Sequence, residues 1–136
     1  MSFEIINPAS LGVPRGWSNG ILAAKDGRLL FVAGQAGWES GAPGTPPDFA
    51  SQFARGLDRV LTVVRAAGGV PQDVARLTIY VTDLAAYRAS LAALGGAWRA
   101  RFGEYYPAIA LVEVKGLVDP GALVELDATA VIGGDR

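Results

Sequence analysis

Apolar residues recur along this chain with two periods, and each period marks a different kind of element. Phe49, Phe53, Leu57, Val60, Leu61, Val64 and Ala67 repeat every three to four positions, the spacing of one helical face. Asp48 stands where a carboxylate caps the first free backbone N–H groups, and Gly68-Gly69 supplies the stop. A second stripe, Leu84, Tyr87, Leu91, Leu94, Trp98 and Phe102, predicts another helix. Gly95-Gly96 falls inside it. Each glycine costs about 1 kcal/mol relative to alanine, so a kink or a close approach to a neighbour is expected there.

Elsewhere the period is two. From Arg76 to Asp83, Leu77, Ile79 and Val81 share one face while Thr78, Tyr80 and Thr82 take the other, as in a half-buried strand. Leu123 to Ile132 sets Val124, Leu126, Ala128, Ala130 and Ile132 against Glu125, Asp127 and Thr129, and Ile109 to Lys115 precedes it as a further strand. Near the start, Phe3 to Ile6 forms a short strand stopped by Asn7-Pro8. Asn19 to Lys25 and Leu29 to Ala36 read as a hairpin turning at Asp26-Gly27, because glycine tolerates the positive φ of a tight turn. Gly37 to Asp48, rich in glycine and proline, is a loop.

The resulting order, β-β-β-α-β-α-β-β, predicts one α+β domain over residues 1–136. Its mixed sheet has about six strands, with two helices on one face. The other face mixes apolar side chains with Glu125 and Asp127. That pattern is expected of an ordinary wet face, or of one that packs on a partner around a polar pocket.

Composition narrows the chemistry. At 51% hydrophobic, the chain is apolar for its 136 residues, which favours burial between subunits. Twelve Lys+Arg against 13 Asp+Glu leave a net charge of −1, without the basic surplus a nucleic-acid binder needs. Cysteine and histidine are both absent, which excludes disulfides, zinc or iron–sulfur centres and every Ser-His or Cys-His nucleophile. A carboxylate-only magnesium or calcium site has no motif behind it, and no cofactor is expected. No apolar stretch approaches the ~18 residues that cross a bilayer, and the N-terminus carries no leader pattern, so a cytoplasmic protein without membrane attachment is expected.

Several fragments, in order, resemble the RidA/YjgF family of endoribonuclease L-PSP-like proteins. They are Asn7-Pro8, Gly16-Trp17-Ser18, the strand Leu30 to Gln35, the helix from Gln52 to Gly69, Asp73 to Asp83, Pro107-Ala108 before Val112-Glu113-Val114, and Val124 to Ala128. The resemblance implies a homotrimer with three clefts between neighbouring subunits, each binding a small carboxylate-bearing metabolite. Active members follow Pro-Ala with an arginine that forks onto the substrate carboxylate. Here that position is Ile109. Lys115, about 20 Å further along an extended strand, cannot reach the same corner, which leaves Arg15 and Arg101 as substitutes to weigh.

The family's last-strand carboxylate is matched by Glu125, the implied catalytic group that activates water at an imine carbon. Trp17, where the family often has tyrosine, walls the cleft without a phenol's proton. Gly34 offers backbone where a side chain would block the ligand, or is simply a turn at a strand end. Ala108, Ile109 and Leu111 complete an apolar lining. Where active members carry a second-helix asparagine, this chain has Ser90-Leu91-Ala92.

Three readings follow. One is a deaminase-like hydrolase of C=N or enamine substrates, for which the usual 2-imino acids are not expected. Another is a non-catalytic metabolite-binding or interaction protein. The third, an endoribonuclease or translation inhibitor, lacks both histidine and positive charge.

Overall fold

The computed structural model describes residues 3–39 and 41–133. The strands are β1 (Glu4–Ile6), β2 (Gly20–Leu22), β3 (Gly27–Ala36), β4 (Val74–Val81), β5 (Ala108–Glu113) and β6 (Val124–Gly133). The helices are α1 (Phe49–Ala66), α2 (Leu84–Ala89) and α3 (Leu91–Phe102). A four-stranded mixed sheet runs in the order β3-β6-β4-β5, antiparallel except for the β4–β5 pair. A parallel pair cannot be closed by a tight turn, and here α2 and α3 provide the crossover. The chain is thus the expected single-domain α+β fold, with its helices on one face of a mixed sheet.

The core forms where α1 meets the sheet. All six apolar residues of its stripe from Phe49 to Val64 are buried, and they pack with Leu77, Ile79, Leu126 and Ala128. Fully burying each such side chain contributes about 1.5–3 kcal/mol. The Asp48 carboxylate accepts from Ser51 N at 2.9 Å and caps α1 as expected. Gln52, fully buried, clasps two loops to this helix. Its amide donates to Pro47 O and Gly121 O, both at 3.0 Å, and its carbonyl accepts from Leu123 N at 2.8 Å.

Four expectations need correction. The Asp26-Gly27 turn exists, but among the described residues no ladder joins β2 to β3. β2 pairs instead with β1, Glu4 opposite Leu22, and β3 pairs with β6, so the six strands form sheets of two and four. A turn motif states where the chain reverses and leaves open which strand completes the ladder.

The second helix is two helices. It breaks at Ser90, whose hydroxyl donates to Ala86 O at 2.8 Å, and continues through Gly95-Gly96. Serine competes with the helix for backbone hydrogen bonds, whereas glycine only weakens it. Finally, Lys115 lies beyond β5, which ends at Glu113. That glutamate turns back to accept from Leu84 N at 3.0 Å, at the start of α2.

Candidate functional site

Trp17 reaches the sheet through its neighbour. Ser18 donates from its hydroxyl to Tyr106 O at 2.6 Å and from its backbone to Pro107 O at 2.9 Å, docking the loop beside the first residue of β5. Asn19 N donates to the Asn7 side chain at 2.7 Å, tying the Asn7-Pro8 segment to the same place. The Trp17 indole N–H is satisfied by Asn19 Oδ1 at 3.1 Å, leaving the ring face to line a cavity.

That cavity, of about 480 Å³, lies on the helix side of the sheet. Parallel register places Ile109 beside Leu77 and Leu111 beside Ile79, so both β5 residues point toward the helices and line it. Buried Phe53, Ile79, Leu94 and Trp98 make its floor, and Trp98 stacks on Phe102 and Tyr106 at 4.1 and 5.7 Å between ring centroids. Among the described residues, Arg15 is the one charged side chain lining it. Arg101 is committed elsewhere: its Nε and Nη2 meet the two Asp58 carboxylate oxygens at 2.7 and 3.1 Å. This pairing holds the Asp58 carboxyl below the usual carboxylate range and clamps α3 to α1.

Glu125 and Gly34 lie on the opposite face. Between Val32 and Gln35 the register of β3 on β6 slips, and Ala33 and Gly34 together stand opposite Asp127. This β-bulge brings the Gly34 backbone against the Glu125 side chain. A Cβ built at Gly34 would lie 2.8 Å from the Glu125 carboxyl carbon, so only glycine lets the carboxylate lie across the strand. Gly34 is therefore neither a turn nor a strand end. A depression of about 310 Å³ gathers Gly34, Glu125, Asp127, Tyr80 and the segment around Val118. The Tyr80 hydroxyl donates to Asp127 Oδ2 at 3.0 Å, and that bond, followed by desolvation, raises the phenol above its ordinary range.

The structure thus divides the expected site residues. Trp17, Ile109 and Leu111 share the helix-side cavity, and Gly34 and Glu125 share the outer depression. Ala108 pairs with Arg76 on the outward parity of β5 and lines neither. The pleat separates it from Ile109.

Sequence reasoning missed the cavity's helical wall. Tyr87, Leu91, Leu94 and Trp98 carry the 3–4 spacing of a core stripe, and part of that stripe faces the cavity. Tyr80 was legible only as an outward-facing strand position. Among the described residues no group of three or more carboxylates stands placed to hold a metal ion, and no helix is long and apolar enough to cross a membrane.

Comparison with known proteins decides the family. The model of the family Endoribonuclease L-PSP matches residues 11–132. The chain belongs to this family. It is 31% identical over 108 residues to the 2-iminobutanoate/2-iminopropanoate deaminase of Escherichia coli K12, covering 77% of this chain and 80% of that protein. Among solved structures, YyfB of Yersinia pestis, a protein of the conserved Rid family, superposes with a TM-score of 0.81 at 32% identity, over 97% of this chain and 100% of the other. The Escherichia coli YjgF gene product matches at TM-score 0.63 and 29% identity, over 92% of each chain. Escherichia coli TdcF, solved with bound serine, matches at TM-score 0.64 and 25% identity, over 90% of this chain and 92% of that one.

Proposed function

We propose that the protein is a homotrimer in which the Trp17–Ile109 cavity of one subunit meets the Gly34–Glu125 depression of the next. The combined cleft takes a small metabolite with an apolar body, and its chemistry is the hydrolysis of C=N or enamine bonds. One observation carries this reading: the two sets of site residues lie on opposite faces of a single sheet, so only a second copy can complete the cleft. The face that would meet that copy exposes Leu29, Phe31 and Val112 by 64%, 74% and 43%. Exposed apolar side chains beside an acidic pocket fit a subunit contact. The deaminase relative and the serine-bound TdcF structure support a small-molecule ligand.

Chemistry would proceed from the carboxylate. Glu125 takes a proton as water adds to the imine carbon, and the nitrogen is protonated as the carbinolamine forms. Collapse of that adduct breaks the C–N bond and releases ammonia and a carbonyl compound. Tyr80, held by Asp127, stays protonated and orients the pair. Ile109 replaces the arginine of active relatives, so small 2-imino acids lose the fork that would hold them. This loss also favours a second reading, a binder that retained the cleft without turnover.

The deciding assay measures hydrolysis of 2-imino acids made in situ by an amino-acid oxidase. Acceleration with leucine- and phenylalanine-derived imines, and little with the alanine-derived one, is the expected result. Binding of such ligands without any acceleration would establish the binder. Rapid turnover of the alanine-derived imine would overturn the role given to Ile109.

A further inference from the structure

We infer that Arg15 is the anion-recognising group of the helix-side cavity, so that its ligand is an amphipathic carboxylate with a bulky apolar body. The inference rests on the proposed ligand-binding role of that cavity. Its floor is buried and apolar, whereas Arg15 is exposed and stands at the rim beside Trp17. A ligand that fills the floor therefore meets one cation, at the mouth, instead of a cation on β5.

Arg15 is also available. Arg101 is paired with Asp58 and Arg59 with Glu39, but among the described residues no carboxylate pairs with Arg15. Its guanidinium keeps a full fork of donors for a planar anion. The backbone that carries it is fixed from the next residues on, through Gly16 at φ 91° and the Ser18 and Asn19 anchors onto Tyr106 and Asn7. Fixing the loop lowers the cost of ordering it around a ligand.

Charge elsewhere in the proposed cleft points the same way. The charged groups of the outer depression, Glu125 and Asp127, are both acidic. A ligand carboxylate is repelled from that wall and drawn to Arg15. Arg99 is the competitor to be tested. Its Nη1 comes within 3.2 Å of where a Cβ on Gly95 would stand, and Gly95 lines the cavity.

Trp17 and Trp98 both line the cavity, so their fluorescence reports binding directly. The probes are 4-phenylbutanoate and its neutral amide, 4-phenylbutanamide. Wild-type protein should bind the acid about ten-fold more tightly, the scale of one charge-assisted fork. Arg15→Met should abolish that preference and leave amide affinity within about two-fold, which also shows that the cavity is intact. Arg15→Lys, which keeps the charge but loses the fork, should retain part of the preference and serves as the second variant should Arg15→Met fail to fold.

Equal binding of acid and amide by wild-type protein would overturn the inference while leaving the cavity as a ligand site. So would an undiminished preference in Arg15→Met, or a loss confined to Arg99→Met. Failure of wild-type protein to bind either probe would overturn the ligand-binding reading itself, and this inference with it.

Discussion

The two faces of the four-stranded sheet differ in almost every property that matters for a site. On the helix side the cavity has an aromatic and aliphatic floor, with the charged Arg15 at the rim. On the outer side the depression is smaller, glycine-lined and acidic, and exposed Leu29 and Phe31 lie on the same face. The pleat produces this contrast, since adjacent residues of one strand point to opposite sides. Glu125 and Leu126 are neighbours in the chain and belong to different environments in the molecule. In a sheet covered by helices on one face only, two such differently lined pockets cannot meet within one copy.

That contrast can be broken most forcefully at the cavity floor. Trp98→Ala removes a ring that is 6% exposed and stacked between two others, and should cost about 3–5 kcal/mol in urea unfolding. Truncating Tyr80 on the outer face should leave the unfolding midpoint nearly unchanged. Equal losses at the two positions would show that the outer face is packed as tightly as the core.

Glu125→Gln tests the other half of the division. It should lower any hydrolytic rate by about a hundred-fold or more while changing probe affinity less than about two-fold, because chemistry and binding are assigned to different walls. Parallel losses in both would place Glu125 in ordinary ligand binding.

Phe31→Glu addresses the proposed contact between copies. Burying a phenylalanine contributes roughly 1.5–3 kcal/mol, and a carboxylate there adds a desolvation penalty. The expected result in sedimentation is a shift from trimer to the 14.1 kDa monomer, with helical content retained. A trimer that survives the change would move the subunit contact elsewhere.

The smallest effect is on pH dependence. Asp58, whose carboxyl is lowered chiefly by its hydrogen bonds from Arg101, contributes stability above its unfolded pKa of about 3.9 and loses it as pH falls through the lower folded value. The pair is partly exposed, so Asp58→Asn should flatten acid unfolding below about pH 4 by less than 1 kcal/mol. Tyr80 carries the opposite sign. Its raised pKa means that the Tyr80–Asp127 bond is present below about pH 10 and is lost as pH rises through the higher folded value. Ultraviolet titration of the phenols in wild-type protein and Tyr80→Phe checks it.

Much of this was legible in local patterns. The α1 stripe with its Asp48 cap, the alternation of β4 and β6 and the order of elements all follow from side-chain periodicity, because burial on one face leaves a period in the chain. The candidate site was legible in part. Trp17, Gly34, Ile109 and Glu125 were named by resemblance, but their separation onto two faces was not visible, nor was the choice between Arg15 and Arg101. Both depend on which residues, distant in sequence, are brought together in space.

By itself, then, the sequence determined the kinds of elements, the absence of histidine and cysteine chemistry, and the placing of an apolar Ile109 directly after Pro107-Ala108. Only tertiary structure decided that β2 pairs with β1, that a bulge lays Gly34 against Glu125, and that Arg101 is held by Asp58 while Arg15 stands at the cavity mouth. Periodicity is a local property, set within a few residues. Pairing, bulges and ion pairs are settled by competition among distant partners for the same backbone groups and charges, and that competition is decided only when the whole chain has packed.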